Sequence, residues 1–156
     1  MVVQENNNKM ERLTINELAP YLPYELKGVD YFQGHRLIRD ITLHNVMAIV
    51  DGYTKLKPFL RPISSLTEEI ICGNQTYAIT DLFEIGDDGG YIYEYDHGNI
   101  KLISQLKTIA EYNYHHDINY LPYHVVQVLI EHHFDVFGLI DRGLAIPIDG
   151  KEVEGE

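Results

Sequence analysis

The run from Pro122 to Phe137 limits what this chain can fold into more than any other stretch, because its apolar residues recur with the period of an α-helix. At about 100° of rotation per residue, Pro122, Val125, Val126, Leu129, Ile130, His133, Val136 and Phe137 fall on one broad face. His124, Gln127, Glu131 and Asp135 fall on the opposite one. Pro122 suits the first turn, where its missing N–H is no loss. The pattern predicts a core helix over residues 122–135, with Leu129 and His133 turned inward and the acids outward. A helix with one greasy side needs a second layer to cover it.

The upstream sequence supplies that layer in short pieces. Thr14 with Glu17 makes a capping box, and Ile15, Leu18 and Leu22 then share a face, while Pro20 and Pro23 keep the helix short. Residues 24–53 read as strands and turns punctuated by Gly28 and Gly34. Within them Ile41, Leu43, Val46, Ala48 and Val50 alternate with other residues before an Asp51-Gly52 turn. Ser65 with Glu68 predicts a second short helix over Leu66, Ile70 and Ile71, ended by Gly73-Asn74, and Thr76 to Thr80 reads as a strand. Asp87-Asp88-Gly89-Gly90 reads as an acidic loop, Tyr91 to Tyr95 as a strand and Asp96-His97-Gly98-Asn99 as a turn. In residues 100–112, Ile103, Leu106 and Ala110 favour a helix. Gly143 is a stop, and Leu144 to Ile148 is a closing strand.

These elements predict an α+β fold: a small, mostly antiparallel sheet with short helices packed on one face. A chain of 156 residues fits one domain. Its bounds are expected at 11–149, between a disordered tail over 1–10 and a flexible acidic tail over 150–156. The single cysteine, Cys72, excludes an internal disulfide and suits a reducing compartment. Cys72 itself is expected as a small buried thiol at a helix end. The start, Met1-Val2-Val3-Gln4-Glu5, lacks the basic and apolar regions of a signal peptide, and no apolar run approaches the ~20 residues of a membrane span. A cytoplasmic protein is expected.

Charge is the most unusual bulk property. The net charge is −12, and residues 62–156 alone carry −13 against +1 for residues 1–61. No Lys or Arg lies between Arg61 and Lys101, a stretch that holds Glu84, Asp87, Asp88, Glu94 and Asp96. Such a surface repels phosphate backbones, so direct nucleic-acid binding is not expected. It could attract a basic protein partner, imitate a nucleic acid, or simply keep the domain soluble. Lys55, Lys57 and Arg61, with Arg36 and Arg39, hold much of the positive charge and either bind an anion or neutralise the acidic half.

Eight histidines invite a metal reading, centred on His116, His124 and Glu131. Helical ligand pairs sit at i and i+4 on one face, and no His-x-x-x-His pair occurs in the 122–135 run, so no metal site is expected. The better account of His133 is a core imidazole bonded to backbone. Twelve tyrosines and no tryptophan give two aromatic groups. Tyr91, Tyr93 and Tyr95 would share one face of a strand, and Tyr112 and Tyr114 lie in a loop-rich stretch near Tyr120 and Tyr123. Either group offers a stacking platform for a base, sugar or peptide, or else ordinary sheet and loop packing. No Gly-x-Ser-x-Gly elbow, phosphate-cradling Gly-Lys loop or calcium loop is present, and no catalytic residues or cofactor are expected.

Three segments carry a resemblance: Leu22-Pro23-Tyr24-Glu25-Leu26-Lys27, the run from Lys57-Pro58-Phe59-Leu60-Arg61-Pro62 to Ile70, and the run from Leu121 through His133-Phe134-Asp135-Val136-Phe137-Gly138 to Ile146. They resemble a family of uncharacterised proteins from Bacteroidales phages and prophages. The resemblance implies a phage or prophage accessory protein in a bacterial cytoplasm and supplies no mechanism. The expected function is non-enzymatic binding of a protein partner through the acidic surface, with interference in host defence as a narrower form. The alternatives are a small-ligand or nucleotide binder using the tyrosines, and a metal-dependent enzyme using the His-rich segment 115–135.

Overall fold

The capping box at Thr14 forms as its spacing predicts: the Glu17 carboxylate accepts the Thr14 backbone N–H at 3.0 Å and opens helix α1 (Ile15–Leu18). The computed structural model describes residues 11–83 and 99–148. Pro20 and Pro23 then hold the chain in a 3₁₀ segment, Ala19–Tyr24, whose Tyr21 is fully buried. The expected tails over 1–10 and 150–156, the Asp87–Gly90 loop, the Tyr91–Tyr95 strand and most of the turn after it lie outside the described residues.

Strands β1 (Lys27–Phe32) and β2 (His35–Asp40) form a hairpin closed by Gln33 and Gly34, both at positive φ, which is the turn geometry that matches strand twist. Strand β3 (Lys57–Leu60) pairs antiparallel with β1, and β6 (Ile146–Pro147) pairs parallel with β3. The sheet order is β2-β1-β3-β6. A separate hairpin joins β4 (Glu69–Cys72) and β5 (Gln75–Ala78). The remaining helices are α2 (Leu43–Val50), α3 (Asn99–Tyr112), α4 (His115–Ile118) and α5 (Tyr123–Glu131). The fold is α+β, as the sequence predicts.

One cluster forms the main core, with Leu18, Tyr21, Leu26, Leu60, Ile63, Leu66, Leu106, Val125, Leu129 and Phe134 among its buried members. A smaller cluster of Val29, Phe59 and Ile148 lies apart, and the Arg36 guanidinium sits 5.0 Å above the Phe59 ring.

Four expectations are corrected. Residues 43–50 form helix α2 and not a strand: Thr42 N–H donates to the Asn45 side chain at 2.8 Å, and Val46 and Ile49, three residues apart, are buried together. Ser65 and Glu68 do not open a helix over Leu66, Ile70 and Ile71. A 3₁₀ segment, Ile63–Thr67, ends there, and β4 follows with Ile70 buried and Ile71 exposed, so Gly73-Asn74 is a hairpin turn and Cys72 ends a strand, half-buried. The expected Thr76–Thr80 strand starts one residue earlier and gives way at Ile79 to a 3₁₀ turn.

The fourth correction concerns the core helix. Pro122 caps α5, which stops at Glu131, and His133 turns the chain at a φ of 61°. Beyond it the backbone pairs with Arg61: Arg61 N–H donates to His133 O at 2.7 Å, and Asp135 N–H donates to Arg61 O at 2.8 Å. Leaving the helix buries Phe134 completely and brings Asp135 inside, at 1% exposure, where its carboxylate accepts Leu139 N–H at 2.8 Å and Ile140 N–H at 2.9 Å. Asp135 is therefore not on a solvated face, and Phe137, at 39% exposure, is not in the core.

Candidate functional site

The segment Tyr24–Lys27 separates two concavities. Glu25 adopts a left-handed backbone, φ 55°, as the chain passes from the 3₁₀ segment into β1, and its neighbours line hollows on both sides. The larger hollow is a groove of about 760 Å³ lined chiefly by Ala19, Leu22, Pro23, Leu26, Ile41 and Leu43, with the Lys27–Asp40 ion pair on its wall. Leu43 is 76% exposed, and Met47, one helical turn along the same face of α2, is 48% exposed. Ile15 is also exposed, on α1, which packs against α2.

The smaller hollow is a cleft of about 270 Å³. Arg61 from the end of β3, Glu131 from the end of α5, His132 and His133 from the turn after it, and Cys72 from β4 all line it. The two adjacent histidines diverge because the left-handed turn at His133 breaks the helical phase. The His132 Nδ1 lies 2.7 Å from Val128 O and its Nε2 2.8 Å from the Tyr77 hydroxyl. Only a protonated nitrogen can donate to a carbonyl, so Nδ1–H serves Val128 and Nε2 accepts the Tyr77 O–H. The His133 Nε2–H donates to Tyr24 O at 2.5 Å, which ties the turn to the segment dividing the hollows. Burial lowers the pKa of both imidazoles, overcoming their carbonyl bonds, and the Arg61 charge adds to the effect.

Two fixed positive charges line this cleft: Lys27, which is paired with Asp40, and Arg61. Its Nη2 donates to Ile71 O at 3.2 Å, its Nε is buried without a hydrogen-bond partner, and it makes no ion pair among the described residues. Glu25 and Glu131 likewise make no ion pair among the described residues. Phe59, Ile71 and Ile148 give the cleft an apolar wall.

Of the residues singled out from sequence, Tyr91, Tyr93, Tyr95, Glu84, Asp87, Asp88, Glu94 and Asp96 lie outside the described residues. Tyr112 and Tyr114 do come together, stacked with ring centroids 5.4 Å apart and both exposed, at the end of α3 and the start of α4. No group of three or more His, Cys, Asp or Glu among the described residues is arranged to hold a metal ion, and His116, His124 and Glu131 are not brought together. His133 does bond to backbone, though from a turn and half-buried. Elsewhere, His115 stands 3.9 Å from both Asp135 and Asp141, a carboxylate–imidazole–carboxylate arrangement that no spacing rule announces.

The sequence offers Arg61 for anion binding but carries no signal that Glu25 and His132 share its cleft, or that Tyr77 bonds His132. Their convergence depends on the positive φ at Glu25 and His133, at residue types that do not advertise it. No helix among the described residues is long and apolar enough to cross a membrane. No protein-family model, curated protein or solved structure matches the chain.

Proposed function

We propose that the domain works by binding a protein partner, without catalysis, and that the apolar groove beside α2 is the docking surface. The carrying observation is the exposure of Leu43 and Met47 next to a groove lined mostly by aliphatic residues. Contiguous apolar surface left in water beside a concavity marks interaction sites, and here Leu43 both lines the groove and adjoins Met47 on α2. Burying each against a partner contributes roughly 1.5–3 kcal/mol.

The occupant is a basic protein that presents apolar side chains to the groove. Its charge follows from the −12 of the whole chain, carried by residues 62–156 rather than by the groove itself, which speeds encounter with a cation-rich surface and discourages acidic ones. The sequence resemblance supports a phage or prophage setting in a bacterial cytoplasm, where such a partner would be a host protein, including one of a defence system.

A photo-crosslinker placed at Met47, with a second at Gln33 on the hairpin tip as control, would be used in Bacteroidales lysate. The captured protein would then be purified and titrated against the parent and Leu43→Glu. We expect capture at Met47 and not at Gln33, and at least about tenfold weaker binding by Leu43→Glu. Equal capture at both sites, no capture, or an affinity unchanged by Leu43→Glu would refute the reading.

A further inference from the structure

We infer that the cleft around Arg61 is a separate binding site for a small zwitterion, a molecule of free amino-acid type with an oxyanion, an ammonium group and an apolar side chain. The inference goes beyond the docking groove and does not depend on it. The groove and the cleft share the border at Glu25 and Lys27 but present different chemistry.

Charge bookkeeping selects the ligand. Arg61 brings one fixed positive charge to the cleft wall, and its Nε is a buried donor with no acceptor among the described residues. Bidentate oxyanions are the best partners of a guanidinium group. Its two imidazole neighbours do not compete for an anion: the ring nitrogens of His132 are taken by Val128 and Tyr77, and the His133 Nε2–H is taken by Tyr24. Lys27 is paired with Asp40.

A simple anion fits poorly, because Glu25 and Glu131 also line the cleft and neither is neutralised by an ion pair among the described residues. One guanidinium against two carboxylates repels a multiply charged anion such as phosphate. A zwitterion satisfies both signs, with its oxyanion on Arg61 and its ammonium on Glu131. The apolar wall of Phe59, Ile71 and Ile148 would receive an aliphatic side chain, and a volume near 270 Å³ suits a molecule of that size.

Leucine, valine and methionine would be titrated into the full chain by calorimetry. Two analogues of leucine would follow, isoamylamine lacking the carboxylate and 4-methylpentanoate lacking the amine, with inorganic phosphate as a further arm. We expect saturable binding of at least one amino acid, and at least about tenfold weaker binding of each singly charged analogue, since each loses a charge-assisted hydrogen bond. Arg61→Met and Glu131→Gln should each weaken the amino acid by a similar factor, and Leu43→Glu should leave it unchanged. The analogue series on the parent protein decides the matter even if Arg61→Met does not fold. Failure of all three amino acids to bind, binding of 4-methylpentanoate or phosphate as tight as leucine, or an affinity indifferent to Glu131→Gln would overturn the inference. Loss of the partner protein with amino-acid binding intact would count against the docking groove alone.

Discussion

The hydroxyl of Tyr21 donates to the carbonyl of Phe134 at 2.6 Å, joining the 3₁₀ segment after α1 to the turn after the last helix across 113 residues of chain. The same oxygen accepts Val136 N–H at 3.2 Å, and the residue is wholly buried. Desolvation raises the phenol pKa, so the hydroxyl stays protonated and keeps its donor role. Tyr21→Phe keeps the ring but strands a buried carbonyl and a buried N–H. The expected loss is about 1–3 kcal/mol, read from urea denaturation with m unchanged. A midpoint equal to the parent's would mean that these backbone groups are satisfied in another way.

Gly28 sits in β1 where the adjoining strand and loop approach its backbone. An added Cβ would lie 2.8 Å from Ile41 Cδ1, 2.9 Å from Lys57 O and 3.0 Å from Leu56 Cδ1. The carbonyl is part of the β1–β3 pairing and cannot swing away as a side-chain tip can. Gly28→Ala should destabilise by about 1–3 kcal/mol through overpacking, despite the strand's preference for alanine over glycine. A gain in melting temperature would show that the sheet opens freely at this point.

The two imidazoles of the cleft set a pH dependence. Burial lowers the folded-state pKa of His132 and His133 below the ordinary value of 6.5, so the unfolded chain binds more protons than the folded one in that range. Their contribution is therefore present above pH 6.5 and is lost as pH falls from there through the folded values. The melting temperature should fall between pH 7.5 and about 5. The double variant His132→Gln, His133→Asn should show a flatter curve over the same window. Asparagine is chosen at 133 because it tolerates the left-handed backbone there. A parent curve flat across the window would contradict the depressed basicity.

The legible parts of this fold were those whose signals are local. Thr14 and Glu17 cap a helix at sequence distance three, and Val125 and Leu129 of the predicted stripe bury as the period requires, while Val128, left off that face, is buried as well. The illegible parts depend on competing local readings or on distant partners. Leu43, Val46, Ala48 and Val50 fit an alternating pattern as well as a helical one, and the Thr42–Asn45 cap decides between them. Ser65 and Glu68 have capping spacing, yet Ile70 and Ile71 divide between core and solvent as strand neighbours do. The helical phase reads on through Asp135 because nothing in His132-His133 signals a left-handed turn. The bonds that reward that turn come from Arg61, far off in sequence. The candidate cleft inherits the same difficulty, since its charges meet only after that turn is made.

The stripe on α5 and the exposed row on α2 offer a paired test of which apolar residues carry the fold. Leu129 is fully buried in the main core, and Leu129→Asp would place an unpaired charge there, at a cost of several kcal/mol on top of the lost packing. A domain of this size has about 5–15 kcal/mol of stability in total, so that variant should lack a cooperative thermal transition. Leu43, at 76% exposure, stands at the first position of α2, where a carboxylate also meets the favourable end of the helix dipole. Leu43→Glu should therefore melt within about 0.5 kcal/mol of the parent. Circular-dichroism melts of both variants make the comparison. A folded Leu129→Asp, or an unfolded Leu43→Glu, would reverse the assignment of inner and outer faces on which the docking groove rests.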